Sequence, residues 1–209
     1  MLLLGHRGAR ASRHIPENTL ESFELCLQHG CDGFEFDVRC SADGAAVICH
    51  DPEIAGREIA STPASLLALP SLDEILQRFS ARAFLDIELK VAGVERQLIM
   101  ALRAHPPQGG YVVSSFLPEV LSTVGKLDAS IPLGFLYDRR EHTPPGLPLA
   151  YLIPNFTLLS RELTGEIHVA GQKTMTWTVN HAEDMRRFAD WGVDAIISDD
   201  TELLVRSFR

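Results

Sequence analysis

Basic residues are scarce: 19 lysines and arginines stand against 28 aspartates and glutamates, a formal net charge of -9 with histidine neutral. A chain this acidic lacks the broad cationic footprint of a nucleic-acid binder, so nucleic acid is set aside as a partner. Acidity still permits an anionic substrate, provided a metal or local cations supply the attraction. Cysteine is limited to Cys26, Cys31, Cys40 and Cys49, and no two form a CxxC pair. That spacing argues against a structural zinc site, and all four read as reduced, small and mostly buried. No apolar run approaches the roughly 20 residues a membrane span needs. Leu2, Leu3 and Leu4 are followed at once by Gly5, His6 and Arg7, which is no secretory leader. The expectation is a soluble, cytoplasmic protein with no stable membrane insertion. Low-complexity segments, linkers and long repeats are missing too, so residues 1–209 read as one domain. Nothing in the pattern speaks to oligomeric state.

What is present is apolar material, 45% of 209 residues, enough to bury one sizeable core. Short β-rich runs alternate with helical stretches. Strands are expected over 2–4, 34–39, 84–89, 111–115, 133–137, 151–153, 174–179 and 195–198, with a further extended piece at 45–49 entered through the Asp43-Gly44 turn. Helices are expected over 18–30, 72–79, 94–104, 119–127, 160–166, 182–191 and 201–207. Ser71 with Glu74 three residues on is a capping-box pattern, Asn18 is a good N-cap, and Gly30 is a natural helix stop. The three prolines between residues 138 and 148 mark a loop where a helix would otherwise stand. Such alternation implies parallel β/α units, and eight strands favour closure. The fold class is α/β, a compact and somewhat distorted (β/α)8 TIM barrel. A full barrel typically needs about 250 residues, so its loops must be short here.

Strand parity then sorts the charges. Glu35, Asp37 and Arg39 share one face of their strand, while Phe34, Phe36 and Val38 share the other. Asp86, Glu88 and Lys90 repeat the device on a later strand, opposite Leu85, Ile87 and Leu89. The apolar faces belong against helices, which sends the charges into the barrel mouth, where unpaired charge is costly. Glu35, Asp37 and Glu88 can converge there, an oxygen set suited to a hard cation, magnesium or calcium. The alternative is a network of ion pairs, such as Glu35 with Arg39 or Asp86 with Lys90.

Of eight histidines, His29, His105, His142 and His168 lie near helix ends or loops, and His14 and His181 carry no assigned role. His6, in Gly5-His6-Arg7-Gly8, and His50, in Cys49-His50-Asp51-Pro52, both end strand-like runs beside the acidic triad. Imidazole suits a general base and a general acid near neutral pH. Arg7 and Lys90 are the candidates to offset negative charge that develops beside the two imidazoles.

These residues resemble the glycerophosphodiester phosphodiesterase family over nearly the whole chain. His6-Arg7-Gly8 with Pro16-Glu17-Asn18-Thr19 looks like its opening signature. Glu35-x-Asp37, His50-Asp51, Glu88-x-Lys90, Ser115-Phe116 and Trp177-Thr178-Val179-Asn180 follow in family order. Gly192-Val193-Asp194 and Ile197-Ser198-Asp199 resemble its closing strand. The resemblance implies a distorted (β/α)8 barrel in which Glu35, Asp37 and Glu88 hold the cation. It implies His6 and His50 as the acid–base pair, in unassigned order, and Arg7 and Lys90 on the phosphate. Trp177 is expected to line the pocket, Glu17 and Asn18 to shape the first loop, and Ser115 to line the pocket or end its strand. The implied substrate is a small glycerophosphodiester. The segment 51–71 is shorter than the family's usual insertion, which predicts a more open mouth that tolerates bulkier alcohols. The competing readings are a lysophospholipase D, a lyase giving a cyclic phosphate, a non-catalytic phosphodiester-binding barrel, and a structural domain with ion-paired strands.

Overall fold

The computed structural model describes residues 1–139 and 146–209. Eight parallel strands form a closed barrel: β1 (Leu2–His6), β2 (Gly33–Cys40), β6 (Phe84–Leu89), β7 (Tyr111–Ser115), β8 (Leu133–Tyr137), β9 (Leu149–Pro154), β10 (Lys173–Thr176) and β11 (Ala195–Ser198). Closure comes from β1, which pairs with β11 on one side and β2 on the other. Outside lie α1 (Leu20–Gln28), α2 (Leu72–Phe79), α3 (Glu95–Ala104), α4 (Pro118–Leu127), α5 (Arg161–Val169), α6 (Ala182–Asp190) and α7 (Thr201–Arg206). The expected loop between β8 and β9 falls largely on 140–145, outside the described residues, as does His142.

Parity works as the alternation predicts. Phe34 and Phe36 of β2 point outward to Phe23 of α1 and Phe79 of α2, all four fully buried. Phe23 stacks on Phe34 at 4.2 Å between centroids, and Phe79 meets Phe34 edge-on at 5.1 Å. Inward-facing Leu4, Val112, Ile153 and Met175 fill the lower barrel, so it is a packed core rather than a pore. Gly33 has no alternative. A Cβ there would lie 1.8 Å from the carbonyl oxygen of Phe84, so only glycine lets β2 pair this closely with β6.

Local detail extends the expected pattern, and one N-cap departs from it. The 45–49 run contributes β3 (Ala46–Ile48), which is antiparallel to β2 and adds no stave to the barrel. The 51–71 segment holds a small hairpin, β4 (Glu53–Ile54) with β5 (Arg57–Glu58), and two short 3-10 turns. The N-cap of α1 is Thr19, whose side chain accepts from Ser22 N, not Asn18. Asn18 adopts a left-handed φ of 58°, a conformation asparagine tolerates, because its amide is engaged elsewhere. The Ser71–Glu74 capping box of α2 forms as expected. All four cysteines are free, with Cys26, Cys31 and Cys49 buried.

Candidate active site

The charged face of β2 reaches the C-terminal mouth of the barrel with Glu35 and Asp37 buried, in register with Asp86 and Glu88 of β6. One carboxylate oxygen each from Glu35, Asp37 and Glu88 lies within 4.8 Å of the others. Glu35 Oε1 is buried with no partner, and Asp37 Oδ1 and Glu88 Oε1 are met only by the Lys90 ammonium among the described residues, at 3.4 and 2.7 Å. Buried acceptors of this kind are costly unless something positive meets them. Oxygens on opposite sides of a calcium ion stand about 5 Å apart, so the cluster fits a hard cation.

Each carboxylate is held by its other contacts. Glu35 Oε2 accepts from the backbone N of Arg7 at 3.0 Å. Arg7 has φ +54°, a left-handed conformation unusual for a side-chain-bearing residue, and its carbonyl accepts from Asn18 N and Ser22 Oγ. Asp37 Oδ2 accepts from Asn18 Nδ2 at 2.8 Å, which explains the conformation of Asn18. Arg7 Nε lies 3.3 Å from Asp37 Oδ2, and Arg7 also donates to Glu17 at 2.8 Å. Glu17 and Asn18 therefore shape the first loop, as expected, but by gripping Arg7 and Asp37.

The ion pairs of the alternative reading do not form between the residues it named. Lys90 meets Glu88 and Asp37 rather than Asp86, and Arg39 Nε donates to the carbonyl of His50 at 2.8 Å rather than meeting Glu35. Asp86 is fully buried and accepts from Ser114 Oγ at 2.6 Å, leaving its other oxygen without a partner. Burial pushes Asp86 up to about 7, and burial with the neighbouring Asp37 pushes Glu88 up to about 7. Glu35 is raised well above the ordinary carboxylate range, by burial first and then by Asp37 and Glu88.

His6 ends β1, with Nδ1 2.7 Å from Asp199 Oδ1 and Nε2 3.9 Å from Glu35 Oε2. His50 arrives by another route. Because β3 runs back antiparallel along β2, Cys49 N donates to the carbonyl of Asp37 at 3.0 Å. His50 is thereby returned to the mouth from a hairpin, not from the end of a barrel strand. Its Nδ1 lies 2.7 Å from Asp51 Oδ1, and burial lowers its pKa below the ordinary imidazole value.

His6, Arg7, Glu35, His50, Glu88, Lys90 and Trp177 line one cavity of about 140 Å³, and Asp37 joins it through the carboxylate cluster. Trp177 anchors its indole on the carbonyl of Ile153 at 3.1 Å and meets Phe116 edge-on at 5.4 Å. Phe116, Leu136 and Asp86 also line the cavity and had no pocket role in the sequence reading. Ser115 ends β7, its hydroxyl donating to the Leu89 carbonyl. Asp199 was missed as well, although it directly follows a strand, the same signal that singled out His6.

A family model for the Glycerophosphoryl diester phosphodiesterase family matches residues 6–77 and 98–203. The chain belongs to that family. Membership accounts for the order of the motifs along the chain and for the closed barrel. A glycerophosphodiester phosphodiesterase of Caldanaerobacter subterraneus subsp. tengcongensis is 30% identical, over all of this chain and 98% of its own length. Among solved structures, an Oleispira antarctica phosphodiesterase in complex with the product sn-glycerol-3-phosphate matches with TM-score 0.87 and 25% identity, covering 99% of this chain and 96% of that one. The Thermotoga maritima glycerophosphodiester phosphodiesterase matches with TM-score 0.87 and 25% identity over 99% and 97%. Among the described residues no helix is long and apolar enough to cross a membrane.

Proposed function

We propose that this family member hydrolyses glycerophosphodiesters to glycerol 3-phosphate and an alcohol, with Glu35, Asp37 and Glu88 holding a divalent cation, magnesium or calcium. The observation that carries the reading is the gathering of three buried carboxylates, one with an oxygen that has no partner among the described residues, and two imidazoles around one cavity. The Oleispira phosphodiesterase, bound to sn-glycerol-3-phosphate, supports the choice of product.

When bound, the cation polarises the phosphoryl oxygens and offsets their growing negative charge. Arg7 and Lys90 add positive charge on the same side, in a site where water screens them poorly. His6 and His50 divide the proton work. One takes a proton from the attacking oxygen as it bonds to phosphorus. The other gives a proton to the departing alcohol oxygen as its bond to phosphorus breaks. The lowered pKa of His50 keeps its ring neutral near pH 7. Trp177 presents an apolar wall to the glycerol or alcohol side of the substrate.

The test is release of glycerol 3-phosphate from glycerophosphocholine, with and without chelator, by wild type and His50→Ala. Chelation should abolish release, and His50→Ala should lower it about 10²-fold or more. Activity indifferent to both changes would remove the mechanism. Phosphorus NMR of the products separates hydrolysis from cyclisation, because a persistent cyclic phosphate would indicate a lyase.

A further inference from the structure

Each of the two imidazoles has Nδ1 2.7 Å from a carboxylate oxygen, His6 from Asp199 and His50 from Asp51. Equal distances conceal unequal surroundings. The Asp199 side chain is 20% exposed, whereas that of Asp51 is 73% exposed. Asp199 Oδ2 accepts from Asn180 Nδ2 at 2.7 Å, and Asn180 Oδ1 accepts in return from Asp199 N at 2.9 Å and Ser198 Oγ at 3.0 Å. Asp199 Oδ1 also accepts from Arg10 at 3.1 Å. Both residues sit on the rigid barrel rim. Asp199 follows β11, and the segment carrying Asn180 is tied to that strand by Val179 N donating to Ile197 O at 2.9 Å. Among the described residues Asp51 has no such support and meets only its sequence neighbour, and exposed pairs of that kind hold geometry weakly.

We propose that Asp199, locked by Asn180, is a positioning residue that fixes His6 with its proton on Nδ1 and Nε2 turned to the cavity, whereas the exposed Asp51 holds the ring of His50 only weakly. The inference rests on the acid–base reading of the two histidines. An ionised carboxylate only accepts hydrogen bonds, so the nitrogen facing Asp199 must carry a hydrogen. Burial works to raise the Asp199 pKa, but hydrogen bonds from His6, Asn180 and Arg10 outweigh it and keep the group ionised. The neutral side chain of free histidine prefers its proton on Nε2, so the clamp works against the ring's own preference. The consequence is an Nε2 that exchanges protons with substrate without a prior ring flip or tautomer change.

Long-range proton–nitrogen NMR on the full chain, with magnesium present, reads the tautomer of each histidine. In wild type His6 should show a protonated Nδ1, and His50 a smaller share of that tautomer. Asp199→Ala should move the His6 proton to Nε2 and lower kcat about 10²-fold with KM within a few-fold. Asp51→Ala should change kcat only a few-fold. Asn180→Ala leaves the carboxylate in place and serves if Asp199→Ala does not fold; it should show a mixed His6 tautomer and an intermediate kcat. The proposal is overturned if these variants leave the His6 tautomer and kcat unchanged, or if Asp51→Ala costs as much as Asp199→Ala. Wild type that releases no glycerol 3-phosphate would instead sink the phosphodiesterase reading, while the NMR result would still judge the clamp.

Discussion

The Lys90 ammonium stands 2.7 Å from Glu88 Oε1, one of the oxygens that otherwise has no hydrogen-bond donor. The same nitrogen lies 3.4 Å from Asp37 Oδ1 and 5.8 Å from the centre of the Phe116 ring. Lys90 therefore links the acidic cluster to the aromatic wall, and its charge balances carboxylates that burial penalises. Glu88 and Asp37 in turn hold the Lys90 pKa above its ordinary value against the opposing effect of burial.

Lys90→Met should act twice. With chelator present, the carboxylate cluster loses a compensating charge and stability should fall by up to about 3 kcal/mol. Urea denaturation reads this, and added calcium or magnesium should restore much of it. In the assay KM should rise about tenfold, since phosphate loses one cationic contact. Unchanged stability with chelator would mean that Lys90 does not balance the cluster.

Asp86→Asn should stabilise the chelated protein. Asp86 is fully buried with one oxygen lacking a partner, and the amide can still accept from Ser114. Removing an uncompensated buried charge should raise stability by about 1–3 kcal/mol at pH 8. A lower melting temperature for the variant would contradict this.

Asp199 predicts an acid limb of stability. Its folded pKa is depressed, so the native state binds fewer protons than the unfolded chain once pH falls below about 4, where an ordinary carboxylate titrates. Its contribution is complete above that pH and disappears progressively as pH drops toward the folded value. Urea midpoints of wild type and Asp199→Ala should differ most near neutrality and draw together below pH 4. A constant difference from pH 7 to pH 2 would show that the carboxylate charge is not responsible.

Phe34→Ala tests the outer core. The ring is fully buried and stacked on Phe23, so truncation should cost about 3–5 kcal/mol by chemical denaturation. A loss under 1 kcal/mol would mean that the layer between β2 and its helices packs loosely.

Residue order alone determined the two-faced strands. In β2 and β6 a period of two leaves no choice: with Phe34, Phe36, Leu85 and Ile87 outside, Glu35, Asp37, Asp86 and Glu88 face inward. Residue types then marked the acidic cluster and both histidines. Long-range geometry decided the rest. His6 and Asp199 are 193 positions apart and meet only because β1 closes the barrel against β11. His50 reaches the cavity because β3 doubles back along β2, a direction that a three-residue apolar run does not encode. Asn18 looked like a helix cap, since local propensity says nothing of a buried carboxylate 19 residues away. Periodicity is a property of neighbours along the chain, whereas the partner of a buried polar group is chosen by whatever closure brings beside it.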